Sequence, residues 1–191
     1  MNKAGNRRTQ DTDARIVEAV FSIMREKKKP AGRVTVREIC EAAGIHRTTF
    51  YAHYQDVFDV LEREEKRMSE RLTRSFLETL ESGGHSAECF ESLFSFIGEN
   101  RAFYELFFTE THRSGVIGVA WELITAHTGR ERLRARVAMT EEEMIYHGIF
   151  FLQGLTGMVR RWVLNGCQET PRQLVEILRR QVTVQEGMTL W

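Results

Sequence analysis

A chain of 191 residues, 42% of them hydrophobic, can bury a core in one compact body or in two small ones. The formal charge is zero, and that average taken alone argues against a polyanionic partner. The distribution reverses the argument: residues 1–54 hold eleven Lys or Arg against six Asp or Glu, so a head with five surplus positive charges precedes an equally acidic body.

Ile16, Ala19, Val20 and Ile23 recur at helical spacing, with Asp11 to Asp13 available as a cap, and predict a first helix ending near Lys28. Lys27 to Gly32, with Pro30 inside it, reads as a turn. Thr35-Val36-Arg37-Glu38 has the form of a capping box, in which the threonine oxygen takes an orphan amide and the glutamate reaches back. Val36, Ile39, Cys40 and Ala43 then form the buried stripe of a short second helix, stopped by Gly44. A third helix is expected from His46 to Tyr54, with Ile45, Phe50 and Tyr54 inward. Asp56 caps a long fourth helix toward Glu81, closed by Ser82-Gly83-Gly84. Further helices are expected at 86–98, 101–109 and 115–135. Another starts at the capping box Thr140 to Glu143 and reaches about Asn165, with Gly166 beyond it. A last one opens at Thr170-Pro171-Arg172-Gln173. No segment alternates with period two, so the predicted fold is all-α, with one domain over 1–55 and a second over 56–191.

Cys40, Cys89 and Cys167 follow no metal-type spacing and read as reduced thiols of a cytoplasmic protein. Met1 to Arg8 lacks the apolar stretch of a signal peptide. The most apolar run, Ile145 to Leu164, is broken by His147, Gln153, Arg160 and Arg161, so no membrane span is expected. No nucleophile–base pair or phosphate-cradling loop is visible, and an enzyme is not expected. His85, His112, His127 and His147 follow no ligand spacing, and the Glu143–His147 pair has no partner motif, so neither metal nor cofactor is called for.

A helix, a tight glycine turn and a short helix in a basic head make a helix-turn-helix pattern. With Ile45, Phe50 and Tyr54 supporting the third helix from within, its other side chains are small or hydrogen-bonding groups, suited to base edges and phosphates.

The run from Thr35 through Glu38, Ala42-Ala43-Gly44, Thr49-Phe50-Tyr51 and His53-Tyr54 resembles the DNA-binding head of the TetR (tetracycline-repressor) family over roughly residues 12–62. Gly154-x-x-Gly157 followed by Arg161-Trp162 and Gly166, ahead of the Thr-Pro helix, is similar to one C-terminal branch of that family. The resemblance implies a homodimeric repressor that binds a palindromic DNA duplex and leaves it when a small, mostly apolar effector enters the C-terminal domain. It implies Arg47 and Thr48 at base edges, with Thr49 on the same reading helix. Tyr51 and His53 are then expected on phosphate, Thr35 presents its cap and amide, and Arg37 adds a phosphate contact. Two positions depart from the pattern: His46 replaces a small polar cap, and Val57 replaces a lysine. The Arg7-Arg8 arm and Lys27 to Lys29 are the expected substitutes for that lost contact. A rival reading is a helical protein-binding adaptor whose helix-turn-helix has been diverted from DNA.

Phe90, Phe94, Phe103, Phe107, Trp121, Tyr146 and Phe150 make the second domain aromatic. Core packing explains such rings by default; the resemblance adds an effector cavity, with Tyr146 and Gln153 as polar groups that orient the ligand. Gly148, Gly154 and Gly157 within a helix each cost on the order of 1 kcal/mol relative to alanine, which close approach of another helix would offset. A dimer interface is therefore expected along Gly154, Gly157, Val163, Leu174, Ile177 and Leu178, in a four-helix contact.

Overall fold

The computed structural model describes residues 3–83, 86–110 and 140–187. The helix expected at 115–135, Trp121, His85, His112 and His127 lie outside the described residues. Among those described there are eight α-helices and no strand: α1 (Lys3–Glu26), α2 (Val36–Ala43), α3 (Arg47–His53), α4 (Val57–Glu81), α5 (Ser86–Glu99), α6 (Arg101–Glu110), α7 (Glu141–Leu164) and α8 (Pro171–Gly187). The fold is all-α. The chain divides into two compact units, one built mainly from residues 1–68 and the other from residue 69 onward.

In the first unit α1 starts well ahead of the expected cap, so Asp11 and Asp13 lie inside the helix. Nothing between residues 3 and 26 excludes helix, since the first proline is Pro30. Ile16, Ala19, Val20, Ile23 and Met24 are buried along one face. The helix closes with Lys29 donating its amide to the Met24 carbonyl while Lys28 adopts φ +46°, a conformation that usually falls to glycine. A 3-10 turn over Ala31–Arg33 leads to α2, whose capping box forms as expected: the Glu38 amide donates to Thr35 Oγ1 and the Thr35 amide to Glu38 Oε2. Gly44 takes φ +61° and ends the helix. Val20, Ile39, Phe50 and Val60, each fully buried, bring α1, α2, α3 and the first turns of α4 onto one core. Asp56 accepts from the Asp59 amide while Asp59 accepts from that of Gln55, which fixes where α4 begins.

The second unit packs α5 against α8, with Cys89, Leu93, Phe94 and Ile97 of α5 and Leu174, Val175 and Leu178 of α8 all buried. Leu155, Val159, Trp162 and Val163 are the buried stripe of α7. One close approach depends on a glycine that the sequence reading passed over. A Cβ on Gly98 of α5 would come within 3.1 Å of the Trp162 ring of α7. The indole N–H of Trp162 in turn donates to the Glu169 carbonyl at 2.9 Å and ties the loop before α8. Thr140 and Glu143 cap α7 reciprocally, and Thr170 and Gln173 do the same for α8.

Two groups of expected residues are placed differently. Val163, Leu174 and Leu178, expected between chains, are already buried in the single chain. Gly154 and Gly157 meet no helix of their own chain, with nothing within 4 Å of an added Cβ, so the expected contact with a second copy is left open. Tyr146, Phe150 and Gln153, expected to converge on a ligand, are exposed on α7; Tyr146 is 65% and Phe150 63% accessible. The reason is periodicity. Ile145, Ile149 and Gln153 lie one turn apart, as do Tyr146 and Phe150, on a face of α7 that is offset from Leu155, Val159 and Trp162. No described helix is long and apolar enough to cross a membrane.

Candidate nucleic-acid interface

The second helix of the pair, α3, is only seven residues long, about two turns, and too short to persist unaided. Phe50 is fully buried and Tyr54, its C-cap, is 3% exposed, with their rings 6.2 Å apart. These two rings seat the helix. Its opposite face carries Arg47, Thr48 and Tyr51, all exposed, while Thr49 is half-buried at the flank. Tyr51 is 59% accessible and its ring meets Phe50 edge-on at 5.5 Å, so the phenol is steered outward by the core beneath it. A helix that offers a guanidinium, a hydroxyl and a phenol on one face has the groups that reach base edges and phosphate oxygens.

The turn into α3 is held from α1. The Arg15 guanidinium donates to the Ala43 carbonyl and, at 3.1 Å, to that of Gly44. A Cβ on Gly44 would sit 3.0 Å from the same guanidinium, so both the positive φ and the close approach require glycine here. His46 precedes α3 in extended conformation and makes no side-chain cap bond, consistent with its departure from a small polar residue. A shallow groove lined by Arg37, Cys40, Glu41, Ile45, His46 and Arg47 runs beside this turn.

Other expected contacts are already engaged within the head. The Thr35 hydroxyl and amide both donate to Glu38 Oε2. Lys29 reaches the same carboxylate at 2.7 Å and Lys27 lies 3.5 Å from it. The Lys29 ammonium, then the Thr35 amide and hydroxyl, hold the Glu38 carboxyl down at about 2. Arg37 is exposed but paired with Glu41 at 2.8 Å. His53 is turned onto α1, with Nδ1 2.7 Å from Asp13 Oδ1, which leaves Nε2 as its remaining polar atom. Val57 is buried, 5% exposed, so the start of α4 presents no charge there. Phe58 beside it is 59% exposed and borders Gly32. Arg33, which the sequence reading did not single out, is exposed on the turn ahead of α2 and has no ion-pair partner among the described residues. Its signal was a basic residue one place before the Val34-Thr35 entry to a capped helix.

Comparison with known proteins gives the class. Residues 84–183 match a TetR-type family described as "Transcriptional regulator C-terminal region". Several solved structures share the fold. A regulator of fatty acid degradation, FadR from Bacillus halodurans, superposes with a TM-score of 0.69 at 16% identity, over 88% of this chain and 93% of that one. A TetR transcriptional regulator from Streptococcus agalactiae 2603V gives 0.67 at 17% identity, over 94% and 97%. The dihydroxyacetone kinase operon activator DhaS gives 0.61 at 15%, over 91% and 95%. No curated protein matches the sequence. The fold and the family match together define a helix-turn-helix regulator of transcription, a class of DNA-binding proteins and not of enzymes. The chain belongs to the TetR family.

Proposed function

We propose that this protein is a homodimer that binds a two-fold symmetric DNA site through α3, represses from it, and is released by a small, mostly apolar effector. The observation that carries the DNA reading is the outward set of Arg47, Thr48 and Tyr51 over the buried rings of Phe50 and Tyr54. Arg47 and Thr48 read bases in this account, and Tyr51 contacts phosphate. Arg37 and Thr35 join only by giving up partners they already hold.

The dimer reading rests on α7. Ile145, Tyr146, Ile149 and Phe150 are each more than half exposed. Gln153, Gly154 and Gly157 continue the stripe toward Leu164, and Ile177 of α8 is also exposed. A contiguous apolar face of this kind marks an interface, and a second copy of the same face satisfies the two-fold symmetry of a palindrome. The glycines allow two α7 helices to approach closely at their crossing.

The effector reading rests on the interior of the second unit. Phe90 and Phe94 stack at 6.4 Å and Phe103 and Phe107 at 5.9 Å. Tyr104 is fully buried, with its hydroxyl lacking a hydrogen-bond partner among the described residues. Burial pushes this phenol well above its ordinary range, so it stays neutral and can donate to an acceptor on a ligand.

The test is selection of duplex DNA from a random pool by the unmodified protein, followed by Arg47→Ala. The variant should lose about 1–3 kcal/mol on the enriched sequence and relax preference at one position per half-site. Binding of every operator variant as the parent binds it would remove Arg47 from base reading.

A further inference from the structure

We infer that Asp13 of α1 is the positioning residue of the DNA-reading helix, holding the end of α3 through His53 while taking no part in DNA contact itself. The inference rests on the DNA-reading role of α3 proposed above.

Asp13 is on the wrong side of two electrostatic rules. It places a carboxylate at the C-terminal end of α3, where the helix dipole disfavours negative charge, and it puts that charge in a basic head that attracts a polyanion. Its surroundings supply a compensation. His53 Nδ1 lies 2.7 Å from Asp13 Oδ1, with the two side chains 14% and 27% exposed. Burial raises the Tyr54 phenol above its ordinary range, and the charges of the same carboxylate and of the Arg67 guanidinium of α4 act on it in opposite directions. The Arg63 guanidinium sits 5.1 Å from the centroid of the Tyr54 ring. Three elements of the first unit thus meet at the end of α3: α1 supplies the acid, α3 supplies the His53 ring that meets it, and α4 lays Arg63 over the Tyr54 cap.

The other end of α3 is gripped from the same helix. Arg15 holds the carbonyls of Ala43 and Gly44 at the turn. Two residues of α1, Asp13 and Arg15, both just ahead of the fully buried Ile16, therefore fix where α3 ends and where it starts. A two-turn helix without a side-chain N-cap bond has little rigidity of its own, so its angle in a groove is set by these outside contacts. Angle governs base-edge contacts, which need good geometry, far more than it governs attraction to phosphate.

This separates positioning from plain electrostatics by sign. Removing an acid from a basic head should strengthen binding to any DNA, whereas loosening α3 should weaken binding to the preferred site. The probes are a duplex enriched from a random pool by the parent protein and an unrelated duplex of equal length. Asp13→Ala should bind the enriched duplex on the order of tenfold more weakly, the scale of losing a hydrogen bond to a charged group. It should bind the unrelated duplex as well as or better than the parent, with an unchanged dependence on salt. Asp13→Asn, which keeps an acceptor for the ring N–H, should lose less. Glu18→Ala removes an exposed acid from the same helix and should strengthen both complexes.

Asp13→Ala behaving like Glu18→Ala would overturn the inference. If circular dichroism shows that Asp13→Ala does not fold, His53→Ala carries the test: it should lower preference for the enriched duplex at constant salt slope. A slope reduced by about one ion would instead make His53 a phosphate contact and leave Asp13 without this role. A parent protein that enriches no sequence refutes the DNA reading itself, which is a different failure from an Asp13 variant that keeps the parent's preference.

Discussion

Replacing Phe150 by alanine should cost the protein its dimer and leave the protomer folded. A phenylalanine that is fully covered buries roughly 200 Å². Phe150 is 63% exposed in the single chain, so pairing can remove about 125 Å² of ring from water per protomer. At about 25 cal/mol/Å² that is at most ~3 kcal/mol per ring, and the two-fold axis counts it twice. Side-chain ordering and incomplete coverage consume a large share of such area-based gains, and about half is a working fraction. The expected loss is therefore about 3 kcal/mol, more than a hundredfold in the dimer dissociation constant. Sedimentation velocity across nanomolar to micromolar protein reads this directly, with thermal melting of the monomer as control. A parent-like dimer constant accompanied by a lowered melting point would refute the reasoning, since it would mean that the ring packs inside its own chain.

Two further substitutions test the head. Gly44→Ala forces a Cβ into φ +61° and toward the Arg15 guanidinium, and should destabilise the protein by about 1–2 kcal/mol in denaturant unfolding; an unchanged midpoint would contradict the close approach described here. Glu38→Gln should lower the melting point at neutral pH, because the native carboxyl is held at about 2 against an ordinary value of 4.5. A carboxyl lowered in the folded state contributes above its unfolded value and stops contributing as pH falls through the folded one. The gap between parent and variant should therefore persist down to about pH 4.5 and close toward pH 2, and a gap independent of pH over that range would count against the Lys29–Thr35 cradle.

Local chemistry made much of this fold legible in the sequence. The caps at Thr35, Thr140 and Thr170 were readable because their partners lie three residues away, and Gly44 because a positive φ at a helix end selects glycine. The outward face of α3 followed from the spacing of Phe50 and Tyr54. The start of α1 was hidden, since polar residues can cap a helix or continue one and nothing local decides between them. The sides of α7 were hidden for another reason. The helix is apolar around most of its circumference, so periodicity marks two faces without saying that Val163 turns inward while Phe150 turns out. The His53–Asp13 pair spans forty residues and the Gly98–Trp162 approach sixty-four, and neither leaves a local pattern.

Whether two copies of this chain read two related half-sites is decided by the mass and footprint of the complex on the duplex it selects. Native mass spectrometry should show two chains per duplex, in one species or an even-numbered multiple of it. Protection should fall on two inverted half-sites whose centres lie about 34 Å apart, one turn of DNA. A single chain on an asymmetric site would contradict the dimeric reading, and a pool from which nothing is enriched would contradict sequence-specific binding altogether.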